Sequence, residues 1–325
     1  MEKKGPFLIK ELKGLNPGTQ VWGKYLVLEK VQRKTKDGKD LINLSLGDSS
    51  GSIDAIVWDN CNISGTIEKG LVIGLLGDLG LYNNRLQVTA KRIKVTEEDI
   101  APYLKGPAAD IKELAGELDE LLNSITDIHI SKLLKHIFTP ETKATFINAP
   151  AAKKIHHNYP SGLLEHTVQV AKICSRTTEL YPMLNRDLLV AGALLHDIGK
   201  VYEYEIKVLP EYTASGRLVG HIVLGSEMVG NAIDTIRQQG DSFPSHLEMM
   251  LKHMILSHHG SLEYGSPVKP LFPEALLLHM ADNLDAKLFV FVNKIEEDEG
   301  GEGLFTPYDI IFDQHFFKYR YDSEA

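Results

Sequence analysis

RDLLVAGALLHDIGKVYEY, residues 186–204, is nearly continuous in apolar side chains until it meets His196 and Asp197. Other runs of the same character lie on either side: GLLEHTVQVAKICSRTTELY (162–181), GHIVLGSEMVGNAIDTIRQ (220–238), HLEMMLKHMILSHHG (246–260) and PEALLLHMADNLDAKLFVFV (273–292). Their length and apolar spacing predict helices around one core. Ionisable groups recur inside or at the ends of these runs, as His166, His196-Asp197, His221, His258-His259 and Asp282. A carboxylate in an apolar helix is costly unless it is paired or bound to a metal. Neutral imidazole and carboxylate are ligands for Mn, Fe, Zn and related divalent ions. His196 and Asp197, about 100° apart on a helix, address one centre from different angles, and the two Asp oxygens can bridge two ions. His129, His136, His246, His253, His279 and His315 stand alone and are assigned no role.

Upstream, a helix is expected from Asp110, whose spacing to Glu113 is that of a capping box. Ile111, Leu114, Leu118, Leu121, Ile125 and Ile128 follow as one helical stripe facing a core. Further upstream, Gln20 to about Lys94 reads as roughly five short strands, with turn signals at Asp37-Gly38 and Asn83-Asn84. That number of strands in so few residues suggests a small closed barrel. With the passage L-x-D-x-S-G-x-I-x-A-x-x-W from Leu46 to Trp58, the region resembles the OB-fold nucleic-acid-binding domains. Such barrels bind single strands by aromatic stacking over a basic groove. The candidates are Tyr25, Trp58 and Tyr82 with Arg33, Lys34, Lys36 and Arg85. The same aromatics could equally fill the barrel.

Charge divides the chain in the same place. Residues 1–95 hold 15 Lys and Arg against 10 Asp and Glu, a balance of +5, leaving 20 against 34, or −14, for residues 96–325. All 13 histidines lie in the acidic part. With 43% hydrophobic residues the chain can bury a sizeable core, yet it has no uninterrupted apolar run of membrane-spanning length. Two distant cysteines, Cys61 and Cys174, argue against a disulfide framework and for a reducing, cytoplasmic setting.

His166…His196-Asp197…Asp282 is similar to the ligand set of the HD-domain metal-dependent phosphohydrolases, and His221 with His258-His259 resembles that superfamily's two-metal members. HHNYPSGLLEHT (156–167), LLHDIGK (194–200), SHHGSLEYGSP (257–267) and LLLHMADNLDAK (276–287) resemble the YhaM-type bacterial 3′–5′ exoribonucleases, which also carry an N-terminal OB domain. The resemblance implies two domains: a small all-β OB-fold barrel at residues 1–98 and an all-α HD-domain helical bundle at 150–325, joined by a linker with connector helices at 99–149. It also implies one ion held by His166, His196, Asp197 and Asp282, and a second by Asp197, His221, His258 and His259. Mn²⁺ is the ion implied, with Fe²⁺ or Zn²⁺ as alternatives. Asp197 is the catalytic bridge, and Lys200, one turn from His196, would face the substrate phosphate. Glu165 and Asp285 are candidates for orienting the ligands, and His156, His157 and Tyr159 for contacting the terminal nucleotide.

The substrate expected is single-stranded RNA, or single-stranded DNA, with a homo-oligomer possible. Two alternatives stay open: a phosphohydrolase of nucleotides or cyclic dinucleotides, and a non-catalytic RNA-binding adaptor with a structural metal site. Residues 260–267 depart from the signature that follows the paired histidines in the HD-GYP phosphodiesterases.

Overall fold

The computed structural model describes residues 5–34, 38, 40–82, 85–104, 106–107, 109–151, 159–206, 209–298, 303–310 and 312–318. The chain divides into two compact units, residues 1–105 with 291–325 and residues 106–290.

The first unit is built on β1 (Gln20–Lys34), β2 (Asp40–Asp48), β3 (Gly51–Trp58), β4 (Asn62–Ser64), β5 (Val72–Tyr82) and β6 (Arg85–Thr96), preceded by the single turn α1 (Ile9–Leu12). The sheet order is β3-β2-β1-β5-β6-β4, and a parallel pairing of β3 with β6 closes the first, second, third, fifth and sixth strands into a barrel. The short β4 lies at the edge on β6. β1 reaches around the barrel by pairing with β5 through its first half and with β2 through its second. Where it changes partner, Tyr25, Leu26 and Val27 are all buried and the register shifts before Glu29. Such a bulge bends a strand and breaks its alternation. Tyr25 comes before that shift and points inward in regular alternation with Val21 and Gly23: its ring fills the barrel core and its hydroxyl donates to the Phe7 carbonyl at 2.9 Å, so it is no stacking platform.

Asp48 of the L-x-D passage is buried, and its carboxylate accepts from the N–H of Ile9, at the start of α1, at 2.7 Å. It also accepts from the N–H and hydroxyl of Ser50 in the β2–β3 turn. The β1–β2 register ends at Lys34 opposite Asp40, and the β5–β6 register at Tyr82 opposite Arg85, as the turn signals require. Lys36, Asp37, Asn83 and Asn84 lie outside the described residues. Beyond residue 290, the rings of Phe291, Phe312 and Phe316 stack edge-on around a buried Phe316.

The second unit is helical. Its core gathers side chains from α2 (Ile111–Asn123), α3 (Ile128–Ile137), α4 (Pro140–Asn148), α5 (Gly162–Leu180), α6 (Arg186–Leu195), α9 (His221–Gln238), α10 (Ser245–Ser257) and α11 (Pro273–Glu297). The short α7 (Lys200–Glu203) and α8 (Ala214–Leu218) flank a two-stranded hairpin, β7 (Tyr204–Ile206) with β8 (Pro210–Tyr212). That hairpin is the one departure from all-helical architecture among the described residues of this unit.

The single stripe expected from Ile111 to Ile128 is in fact two helices. Asp110 caps α2 by accepting from the N–H groups of Lys112 and Glu113, and Leu114, Leu118 and Leu121 are buried. The chain then breaks at Ser124, and Asp127 caps α3. Asp187 holds the break by accepting from the Thr126 N–H and hydroxyl and from the Asp127 N–H, all within 2.8 Å. Ile111 and Ile128, the ends of the supposed stripe, are exposed. The acidic stretch from Glu296 begins as the last turn of α11.

Candidate metal centre

Helix ends, rather than helix middles, hold most of the candidate ligands. α6 stops at Leu195, so His196 and Asp197 occupy the turn beyond it. α10 stops at Ser257, placing His258 and His259 in the same way, and His221 opens α9. The last carbonyls of a helix have no partner within it. His196 Nδ1 fills one such need at the Ala193 carbonyl, and His258 Nδ1 fills another at the Ile255 carbonyl, both at 2.7 Å and both three residues back. His259 Nδ1 meets the Tyr264 carbonyl at 2.7 Å. His166, within α5, places Nδ1 2.7 Å from Asp285 Oδ2, and His221 places Nδ1 3.2 Å from Glu203 Oε1. In all five imidazoles Nδ1 is engaged, which orients the ring and leaves Nε2 to serve as the ligand atom.

These Nε2 atoms converge on one carboxylate. Asp197 Oδ2 lies 3.3 Å from His196 Nε2 and 3.7 Å from His166 Nε2, while its Oδ1 lies 3.4 Å from His221 Nε2 and 3.6 Å from His258 Nε2. Asp282 Oδ1 is 3.2 Å from His166 Nε2, and the Nε2 atoms of His166 and His196 are themselves 3.2 Å apart. Two ligands each about 2.1 Å from one ion stand roughly 3–3.5 Å apart, so the spacing fits shared ions. Two groups of donor atoms result, each lying within 4.8 Å: His166, His196 and Asp197, and His221, His258 and His259.

A second observation agrees. Asp197 Oδ1, His221 Nε2 and His258 Nε2 are buried and have no hydrogen-bond partner. Such atoms cost free energy unless something binds them. The donor set of imidazole and carboxylate without thiolate suits Mn²⁺, Fe²⁺ or Zn²⁺.

The electrostatics balance internally. Burial alone would lower the His166 pKa, but its hydrogen bonds to Asp282 and Asp285 outweigh it and carry it up to about 10. Burial would raise Asp197, yet the Lys200 ammonium and the neighbouring imidazoles hold it well below the usual carboxylate range. Asp282 is likewise lowered, against its burial, by His166. Burial, reinforced by the adjacent His259 and His196, pushes His258 well below an ordinary histidine. It therefore offers a bare Nε2.

Lys200, expected to face a phosphate, is buried with Nζ 2.6 Å from Asp197 Oδ2. Asp285 contacts His166 directly, whereas Glu165 is buried and accepts from the Tyr159 hydroxyl. His156 and His157 fall outside the described residues. Glu203 was not anticipated. Buried beside the site, it accepts from both the N–H of His221, at 3.1 Å, and Nδ1, and so fixes that ring in two ways. Gly199 is required by closeness: a Cβ there would stand 2.0 Å from the His221 carbonyl oxygen, so only glycine lets α7 and α9 meet.

On the barrel, Arg33, Leu41 and Trp58 occupy one cross-strand row, with Arg33 and Trp58 exposed. Lys34 and Tyr82 are exposed at the ends of the β1–β2 and β5–β6 hairpins, and Arg85 stands opposite Tyr82 in register.

Residues 163–287, which contain every candidate ligand, match the HD domain family. HD domains are metal-dependent phosphohydrolases, which supports a hydrolase here. Residues 29–96 match the family described as OB-fold nucleic acid binding domain.

Among solved structures, the chain is similar to the second OB-fold domain of replication protein A from Methanococcus maripaludis, at 22% identity over 29% of this chain and 96% of that one, with a TM-score of 0.23. A replication protein A heterotrimer bound to ssDNA matches at 20% identity over 30% of this chain and 73% of that one, with a TM-score of 0.22. The p204 HINb domain matches at 23% identity over 28% of this chain and 47% of that one, with a TM-score of 0.24, so the chain spans under half of its length. The fold assignment rests on strand order and the family matches. No helix among the described residues is long and apolar enough to cross a membrane.

Proposed function

We propose that the chain is a two-metal 3′–5′ exoribonuclease that hydrolyses the phosphodiester bonds of single-stranded RNA. The observation that carries the reading is the Asp197 carboxylate, whose two oxygens each face a different pair of histidine Nε2 atoms. In this reading His166, His196, Asp197 and Asp282 hold one ion, and Asp197, His221, His258 and His259 hold the other, with Mn²⁺ the leading candidate. The chemistry such ions supply is Lewis-acid polarisation of a phosphoryl oxygen and activation of water. The protein's own part is to keep five imidazoles oriented through Nδ1 and to keep Asp197 ionised inside an apolar unit. Lys200 provides a second positive charge within reach of Asp197, available to a non-bridging phosphate oxygen once the carboxylate is engaged elsewhere.

The OB-fold match and the +5 balance of residues 1–95 support capture of a nucleic-acid strand. Trp58 and Tyr82 are the exposed aromatics for stacking, with Arg33, Lys34, Lys36 and Arg85 for the backbone. His156 and His157 are assigned to the terminal nucleotide; Tyr159, expected there too, is instead buried with its hydroxyl donating to Glu165. Polarity and preference for RNA follow from the resemblance of residues 156–167, 194–200, 257–267 and 276–287 to the YhaM-type enzymes.

The test is metal-stripped protein incubated with 5′-labelled single-stranded RNA, with Mn²⁺ restored, beside Asp197→Ala. Expected is a ladder shortening from the 3′ end, abolished by EDTA and by the substitution, with two ions bound per wild-type chain. Intact RNA would overturn the reading and make nucleotides and cyclic dinucleotides the next substrates.

A further inference from the structure

His279 of α11, one of the histidines to which the sequence assigns no role, reaches the backbone of the candidate metal centre. Its Nδ1 lies 2.7 Å from the His258 carbonyl oxygen. A carbonyl only accepts, so Nδ1 carries the proton and donates. That carbonyl follows the last residue of α10, where the chain offers no partner within the helix. It also belongs to the peptide that joins His258 to His259. A peptide unit is planar, so fixing the direction of its C=O fixes how the two side chains are aimed relative to each other.

Each ring has an anchor of its own, His258 Nδ1 at the Ile255 carbonyl and His259 Nδ1 at the Tyr264 carbonyl. Those bonds orient each imidazole, and neither sets the peptide plane between them. The ring centroids stand 4.2 Å apart with the planes at 67°, an arrangement that rotation of that peptide would undo. Gly260 shows how closely His279 fits. Its φ of +82° is the left-handed conformation that favours glycine, and its N–H donates to the Ser257 carbonyl at 2.8 Å. A Cβ there would stand 2.2 Å from His279 Cε1 and 2.4 Å from Nε2. Any side chain at 260 would push the imidazole off the carbonyl or drag the peptide with it. One turn further along α11, Asp282 Oδ1 lies 3.2 Å from His166 Nε2. One helix face thus bears a candidate ligand of the first ion and holds the ligand pair of the second.

We infer that His279 is a positioning residue for the second ion. Its hydrogen bond to the His258 carbonyl and its seat against Gly260 hold the peptide between His258 and His259 so that both Nε2 atoms address one site. The inference rests on the two-ion reading of the centre.

Titration calorimetry with Mn²⁺ on the metal-stripped full-length protein tests it. Expected are two ions on the wild type, the affinity for one of them lowered about 10–100-fold by His279→Ala. His279→Asn, whose amide nitrogen can stand where Nδ1 stands, largely restores it. In His221→Ala, which removes a ligand of the second position, the remaining ion binds with the same affinity whether or not His279→Ala is added. A general loosening of the fold would weaken that ion too. Should His279→Ala fail to fold, Gly260→Ala gives the same selective loss with the histidine in place, and wild-type binding there overturns the inference. Wild-type binding in His279→Ala, a loss shared equally by both ions, or no recovery in His279→Asn overturns it as well and leaves the two-ion reading standing. A wild type that binds fewer than two ions overturns both.

Discussion

Glu203 shows what a single side chain does for a ligand without being one. By accepting from both the N–H and Nδ1 of His221, it fixes the tautomer and the direction of the ring. Partners of this kind are worth about 10–100-fold in metal affinity. Glu203→Ala is therefore expected to weaken binding at one of the two proposed ion positions by that factor, read by titration calorimetry, with little change in secondary structure. His166 supplies a pH signature. Its folded pKa near 10 stands above the ordinary 6.5, so its proton stabilises the metal-free fold fully below pH 6.5, and this contribution drains away as pH rises toward 10. The melting temperature in EDTA should fall from pH 6.5 to 9. With saturating metal, which displaces that proton, the fall should vanish. The cluster of candidate ligands was legible in sequence because paired ionisable residues in apolar runs are expensive. Glu203 was not, because it sits among tyrosines in the mixed stretch Tyr202-Glu203-Tyr204-Glu205 and its partner lies 18 residues on.

The ends of elements explain more of the site than their middles. α6 and α10 both finish one residue before a candidate ligand histidine, and both use that histidine to satisfy a terminal carbonyl. The helix C-terminus, with its partial negative charge, also faces the position where cations are proposed. The break between α2 and α3 is the clearest case of periodicity misleading. Six apolar residues at helical spacing outweighed the capping character of Ser124, Thr126 and Asp127, and the carboxylate that fixes the turn is 60 residues away at Asp187. Those three hydrogen bonds, with Arg186 beside it, hold Asp187 below its usual pKa despite partial burial. Asp187→Ala removes three hydrogen bonds to a partly exposed turn and should cost about 1–2 kcal/mol, measured as a lower urea midpoint at unchanged slope. The β7–β8 hairpin escaped notice because three-residue strands carry too few side chains to show alternation.

At the scale of the molecule, the division into a basic barrel and an acidic helical unit was plain from charge alone, whereas the face of each barrel residue was not. Tyr25 and Trp58 look alike in sequence, yet alternation along β1 puts one on the inward face while the other ends β3 on the outward face. If Trp58 and Tyr82 hold the strand, replacing both with alanine should weaken single-stranded RNA binding by roughly 10-fold or more. Hydrolysis of a small chromogenic phosphodiester should be unaltered. Loss of both activities would place these residues in folding instead.

The candidate ligands span from His166 in α5 to Asp282 in α11, most of the length of the helical unit. A ribosome makes the barrel first, and that barrel has a core of its own. The carboxylates of α11 emerge only after some nine-tenths of the chain has been synthesised. In the proposed reading, a nascent or prematurely terminated product ending before residue 282 is thus a strand-binding module without a complete metal centre. In the proposed reading, synthesis itself acts as a safety catch, and truncated chains would shield the RNA that the finished protein degrades.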